Sequence, residues 1–119
     1  MCLFFLFAKV LVETVRGELL TRDDIIAEVA KCVSSERNAA YGEPADNFRA
    51  IADFWNVFLS SRGVVLEQPL NAADVATMMS LLKIARIATG ETKLDNYVDL
   101  AGYAVCGGEV STHNPTYSV

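Results

Sequence analysis

Histidine and cysteine are scarce in this chain. The one histidine, His113, stands in a polar stretch near the C-terminus, and the three cysteines, Cys2, Cys32 and Cys106, are odd in number and widely spaced. Such a set writes neither a zinc site nor a disulfide framework. Basic clusters are missing as well. The net charge is −5, the pI is near 4.7 and no lysine/arginine block occurs, so a broad surface for duplex nucleic acid is not expected. An anionic ligand would have to be met by a few local cations. Three prolines and seven glycines, with 52% hydrophobic residues, exclude a collagen-like or disordered chain. No GxxxxGK(S/T), GxGxxG or Ser-His-Asp set is present, which leaves P-loop, Rossmann and triad-hydrolase chemistry unsupported. The longest apolar run, eight residues before Lys9 in "MCLFFLFAKVLV", is far short of the roughly 20 needed to span a bilayer, and it lacks the positive flank and cleavage site of a signal peptide. No membrane role is expected. Residues 1–20 read as an apolar leader, either an element that packs on the domain or on a partner subunit, or a segment upstream of the native start.

What the chain does contain is helical periodicity. In "TRDDIIAEVAKCVSSERNAAYG", Thr21 is the expected N-cap, and Asp23 and Asp24 suit the positive end of the helix dipole. Ile25, Val29, Cys32 and Val33 form a stripe that, continued, lands on Glu36, which is therefore expected to lean toward the core. Tyr41-Gly42 and Pro44 end this element. The next, "ADNFRAIADFWNVFLSSRG", has the widest apolar face, with Phe48, Ile51, Trp55, Phe58 and Leu59. After the short extended link "VVLEQPL", Asn71 caps a third element carrying Val75, Met78, Met79, Leu82 and Ala85, closed by Gly90. The fourth is expected to bury Leu94, Tyr97, Val98, Ala101, Ala104 and Val105 and to stop at Gly107-Gly108. The fold class is thus all-α, a four-helix bundle over residues 22–39, 45–61, 71–89 and 92–106, in one helical domain at 21–108 followed by a flexible tail at 109–119. So short and apolar a chain is expected to form a homo-oligomer.

The charges within "LLKIARIATGETKLDNYVDLAGYAVCGG" need a reason. Arg86 continues an apolar stripe, while Asp95, Asp99, Gly102 and Tyr103 line one face of the last helix beside its apolar stripe. Each acid taken singly is most simply a solvated helix face or a dipole partner. Taken together, two cations and two carboxylates suit phosphate handling: acids hold Mg²⁺ through oxygen, and lysine and arginine contact phosphate oxygens. Metal-assisted pyrophosphate hydrolysis would use such a set.

The segments "ERNAAYGEPADNFRAIADFW", "DVATMMSLLKIARI" and "KLDNYVDLAGYA" resemble a group of small phage and prophage proteins related to the MazG-like all-α nucleotide pyrophosphohydrolases. The resemblance covers roughly residues 22–108. It implies a helical oligomer with sites at subunit interfaces, Mg²⁺ dependence, and cleavage of nucleoside triphosphates to monophosphate and pyrophosphate. It also implies a cytoplasmic protein of a bacterial host, phage-encoded or prophage-encoded. The superfamily's E-x-x-E and E-x-x-D pairs are matched here only by Asn96-x-x-Asp99. On this reading Glu36 and Asp99 are catalytic, and Glu36, Asp95 and Asp99 hold magnesium. Tyr41, Asn47, Lys83, Arg86, Asn96 and Tyr103 bind the nucleotide or other phosphorylated ligand. Two rival readings stand beside it. One is a nucleotide-binding or nucleotide-sequestering protein without catalysis, and the other is a structural helical interaction module whose charges form a buried network.

Overall fold

The computed structural model describes residues 19–90 and 93–113, without the side chains of Arg37 and Tyr41. Residues 1–18 of the apolar leader and residues 114–119 of the tail lie outside the described residues. Among the described residues all regular structure is helical: α1 Arg22–Cys32, α2 Ser35–Tyr41, α3 Pro44–Ser61, α4 Ala72–Thr89 and α5 Leu94–Thr112.

Local chemistry sets most of these ends. Thr21 and Asn71 each close a capping box, with Asp24 and Asp74 returning the bond to the backbone N–H of the cap residue. Pro44 opens α3, where its missing N–H leaves no helical bond unmade. Gly63 ends it at φ +76, and the N–H groups of Gly63 and Val64 donate to the Ser60 and Leu59 carbonyls, a Schellman closure that needs the left-handed conformation. Asn56 then pins the connecting loop. Its Nδ2 donates to the Leu70 carbonyl and its Oδ1 accepts from the Leu70 N–H, both at 2.9 Å.

Three expectations about the helices are corrected. The helix expected over 22–39 breaks at Val33-Ser34, where Ser34 is extended (ψ 154) and starts α2 afresh. A β-branched residue followed by two serines is poor helix interior, since serine competes for backbone bonds. The break resets the helical phase, so Glu36 is exposed rather than facing the core. At the other end, Gly107-Gly108 is not a stop. The helix runs on to Thr112, which places residues 109–112 of the expected tail in regular structure. Gly107 serves contact instead: a Cβ there would lie 2.9 Å from the Ala76 Cβ, so its absence lets α4 and α5 approach.

The architecture is built on that approach. Ala76 opposite Gly107 and Lys83 opposite Asp99 show α4 and α5 to be an antiparallel hairpin, the most extensive helix contact among the described residues. α3 packs on α4, and α1 on α5. The core joins Val29 and Cys32 of α1, Phe48 and Ala52 of α3, Val75, Ala76 and Met79 of α4, and Val98, Tyr103 and Cys106 of α5.

The third correction concerns which stripes face this core. On α5, Val98 is buried as expected, but Tyr97, Ala104 and Val105 are exposed, and Asp99, Gly102, Tyr103 and Cys106 point inward. On α4, Met78 and Ala85 are exposed while Ala76 and Lys83 are buried. On α3, Phe48 is fully buried, Ile51, Trp55 and Leu59 are half-buried, and Phe58 is exposed. Periodicity alone favours the more apolar stripe. A charge pair that neutralises itself, together with Gly107, which permits close packing, turned the other face inward.

Candidate functional site

The centre of the hairpin holds one ion pair. Lys83 Nζ donates to Asp99 Oδ2 at 2.6 Å, and the side chains are only 2% and 0% exposed. Burial strips both groups of water, so each charge depends on the other and on the groups around the pair. Tyr103 lies one turn beyond Asp99. Its ring is tilted 43° to that of Phe48 at 6.4 Å between centroids. Burial pushes its hydroxyl well above the usual tyrosine range, the Asp99 charge pushes the same way, and Arg86 opposes them. Lys83, Asp99, Tyr103 and Arg86 thus form one electrostatic neighbourhood.

Arg86 itself is exposed, against the inward position expected for it. One helical turn past Lys83, it lines an open pocket of about 360 Å³ with Thr89 and Gly90 at the end of α4 and Lys93 and Asn96 at the start of α5. Lys93 is the N-cap residue of α5 and its side chain makes no capping bond. The pocket therefore combines two cationic side chains, an amide and a hydroxyl with the positive end of a 19-residue helix. A second concavity, about 340 Å³, lies at the other end of the hairpin and includes Arg49, Asp53, Asn71 and His113. Its acid and base offset one another, and none of the expected site residues lines it.

The expected site residues therefore separate into groups. Lys83 and Asp99 meet directly, and Tyr103 packs beside them, buried. Arg86 and Asn96 share the surface pocket. Asp95 is half-buried in the first turn of α5. Asn47 is half-buried near the turn at Gly42, and the side chain of Tyr41 lies outside the described residues. Glu36 is exposed on the short α2. Asp99 is engaged by Lys83, and among the described residues no three of His, Cys, Asp and Glu are grouped to hold a metal. Three pocket residues, Thr89, Gly90 and Lys93, were not among the expected ones. Their signal was present in the sequence, because a short link between two antiparallel helices brings the last turn of one beside the first turn of the next.

The described residues form a helical domain whose central hairpin carries a buried Lys–Asp pair next to a basic surface pocket. The family follows from comparison with known proteins. Residues 24–111 match the family described as "Domain of unknown function (DUF6378)", and the chain belongs to that family. It is 36% identical over 84 residues to the Gene 55 protein of Mycobacterium phage D29, covering 71% of this chain and 51% of that protein. It is also 36% identical over 80 residues to the Gene 55 protein of Mycobacterium phage L5, covering 67% and 47% respectively. The chain spans about half the length of these curated relatives. No solved structure matches it. No helix among the described residues is long and apolar enough to cross a membrane.

Proposed function

We propose that this protein binds phosphorylated small molecules, nucleotides foremost, holding the phosphate in the pocket between α4 and α5 without hydrolysing it. The observation that carries this reading is the convergence of Arg86, Lys93 and Asn96 on one concavity at the N-terminal end of a long helix. Guanidinium and ammonium groups form charge-assisted bonds to phosphate oxygens, and the helix end adds backbone N–H groups and a favourable dipole. Asn96 supplies an amide able to read a polar edge of the ligand. The resemblance to MazG-like pyrophosphohydrolases favours a nucleotide as the ligand, and the phage relatives favour an infected cell as the setting. Binding is favoured over Mg²⁺-dependent hydrolysis because Asp99, the carboxylate in the most suggestive sequence position, is tied to Lys83.

The deciding experiment is a panel of nucleoside mono-, di- and triphosphates with and without Mg²⁺, read by thermal shift and by product analysis. The binding reading expects a stabilising shift without turnover, lost in Arg86→Ala and Lys93→Ala. It also expects Asp95→Asn to tighten binding, because a carboxylate in the first turn of α5 repels phosphate. If Asp95 instead held magnesium, the same substitution would weaken Mg²⁺-dependent binding. Turnover dependent on Mg²⁺ would restore the hydrolase reading, and the absence of both shift and turnover would overturn the proposal.

A further inference from the structure

The outer side of the α4/α5 hairpin is a helix surface almost without charge. From Val75 to Thr89, α4 carries two charged residues: Lys83 is buried, and Arg86 stands roughly 140° around the helix from Leu81. From Asn96 to Gly108, α5 carries Asp99 alone, and it is buried too. Exposed on this side are Met78, Leu81, Ile84 and Ala88 of α4 and Tyr97 and Ala104 of α5, with Leu81 58% and Ile84 49% open to solvent. The two helices present one surface, because Thr77 and Ser80 line a shallow common seam with Ala104 and Gly108. A solvated helix face ordinarily carries charged residues. About three turns without one mark a face that another element covers.

The chain itself holds a segment of the matching kind. In residues 1–18, which lie outside the described residues, Phe4, Phe7, Leu11 and Val15 recur at spacings of three and four, and Lys9, Glu13 and Arg16 do the same on the opposite side. This is the pattern of a helix with one bulky apolar face and one charged face. Its length fits, because eighteen residues of helix span about 27 Å, as do the 18 residues of α4. Its point of attachment fits as well. The segment joins the described chain at Leu19, 94% exposed, ahead of Thr21, whose extended backbone (ψ 167) starts α1 as a separate helix. The chain can therefore turn there, and α1 packs on α5, one of the two helices that form the open surface. The exposed patch on α3 suits the segment less. Phe54, Val57 and Phe58 cover little more than one turn, Asp46 and Asp53 share that side, and among the described residues α1 makes no comparable contact with α3.

We infer that residues 1–18 fold back from α1 as an amphipathic helix and lie along the α4/α5 hairpin of the same chain. Phe4, Phe7, Leu11 and Val15 face Leu81, Ile84 and the seam, where small side chains leave room for a bulky ridge. Lys9, Glu13 and Arg16 face water. The leader then completes the bundle by covering the hairpin side that α1 and α3 leave open, and an apolar surface is replaced by a charged one.

Trypsin tests this on the full chain, since it cuts after Lys9 and Arg16 only where the backbone can leave a docked helix. The expected result is slow cleavage at both sites, unchanged by dilution over about a hundredfold range. Leu81→Glu with Ile84→Glu should speed it at least about tenfold, as should Phe7→Asp with Leu11→Asp, whereas Phe54→Glu with Phe58→Glu should leave it unchanged. Circular dichroism checks that each variant keeps its helices. A second measurement does not depend on those variants. Cys32 and Cys106 are buried, so a short bismaleimide should join Cys2 to Thr77→Cys or Ala88→Cys within one 13.0 kDa chain, and not to Val57→Cys. Three results overturn the inference. One is cleavage as fast as in a separate peptide of residues 1–20, and another is protection lost with the α3 variants but not the hairpin ones. The third is protection that fails on dilution or a bismaleimide product joining two chains, either of which puts a second copy on the face.

Discussion

Removing the charge from Lys83 is the sharpest probe of the hairpin. Lys83→Met keeps an unbranched stem of similar length but strips the partner from Asp99, a side chain with 0% exposure. Breaking a buried pair from one side typically costs about 3–5 kcal/mol, because the remaining ion stays desolvated without its countercharge. For a domain of this size about 1 kcal/mol moves the midpoint by roughly 3–6 °C, so a fall of ten degrees or more is expected. Urea unfolding followed by far-UV circular dichroism measures it. The double variant Lys83→Met/Asp99→Leu should return to within about 1 kcal/mol of wild type, since an apolar pair of similar volume can replace a buried ion pair at little cost. The cycle would then show strong non-additivity. If Lys83→Met costs less than about 1 kcal/mol, or if the two single effects simply add, the pair is not the unit described here.

The remaining predictions use other parts of the fold. Gly107→Ala should destabilise by about 1–3 kcal/mol, because its Cβ would stand 2.9 Å from the Ala76 methyl, whereas helix propensity alone predicts a gain. Ala76→Gly in the same chain should recover part of that loss in thermal melts, and a stabilised Gly107→Ala would refute the close approach. Phe48→Ala should cost about 3–5 kcal/mol, and half-buried Trp55→Ala less; the reverse order in urea midpoints would misplace the core. Cys106 is pushed from its ordinary 9.0 to about 11 by burial and then by the Glu109 charge, and Tyr103 is pushed upward as well. The unfolded chain therefore loses these protons first. Stability should be level below pH 9, fall as pH rises toward 11, and fall less in Cys106→Ala relative to its own neutral-pH value.

Local information carried the helix inventory. Thr21-x-x-Asp24 and Asn71-x-x-Asp74 are capping boxes whose bonds close within four residues, and Gly63 and Pro44 act through their own backbones, so these ends could be read without knowing what packed where. The pairing of Lys83 with Asp99 was legible in part, since both residues fall on helices joined by a short link. The orientation of the faces was not. Hydropathy ranked the Tyr97/Val105 side of α5 above the Asp99/Tyr103 side, yet burial follows the geometry of the hairpin, where Gly107 lets the backbones close and Lys83 supplies the countercharge. The same dependence explains Glu36, whose phase was lost at the Val33-Ser34 break, and Lys93, which joins Arg86 only because α5 folds back along α4. Caps, glycine turns and helical period depend on neighbours in the chain. Which stripe is buried, which charge finds a partner and where a pocket opens depend on residues brought together from distant positions, and those only the tertiary packing decides.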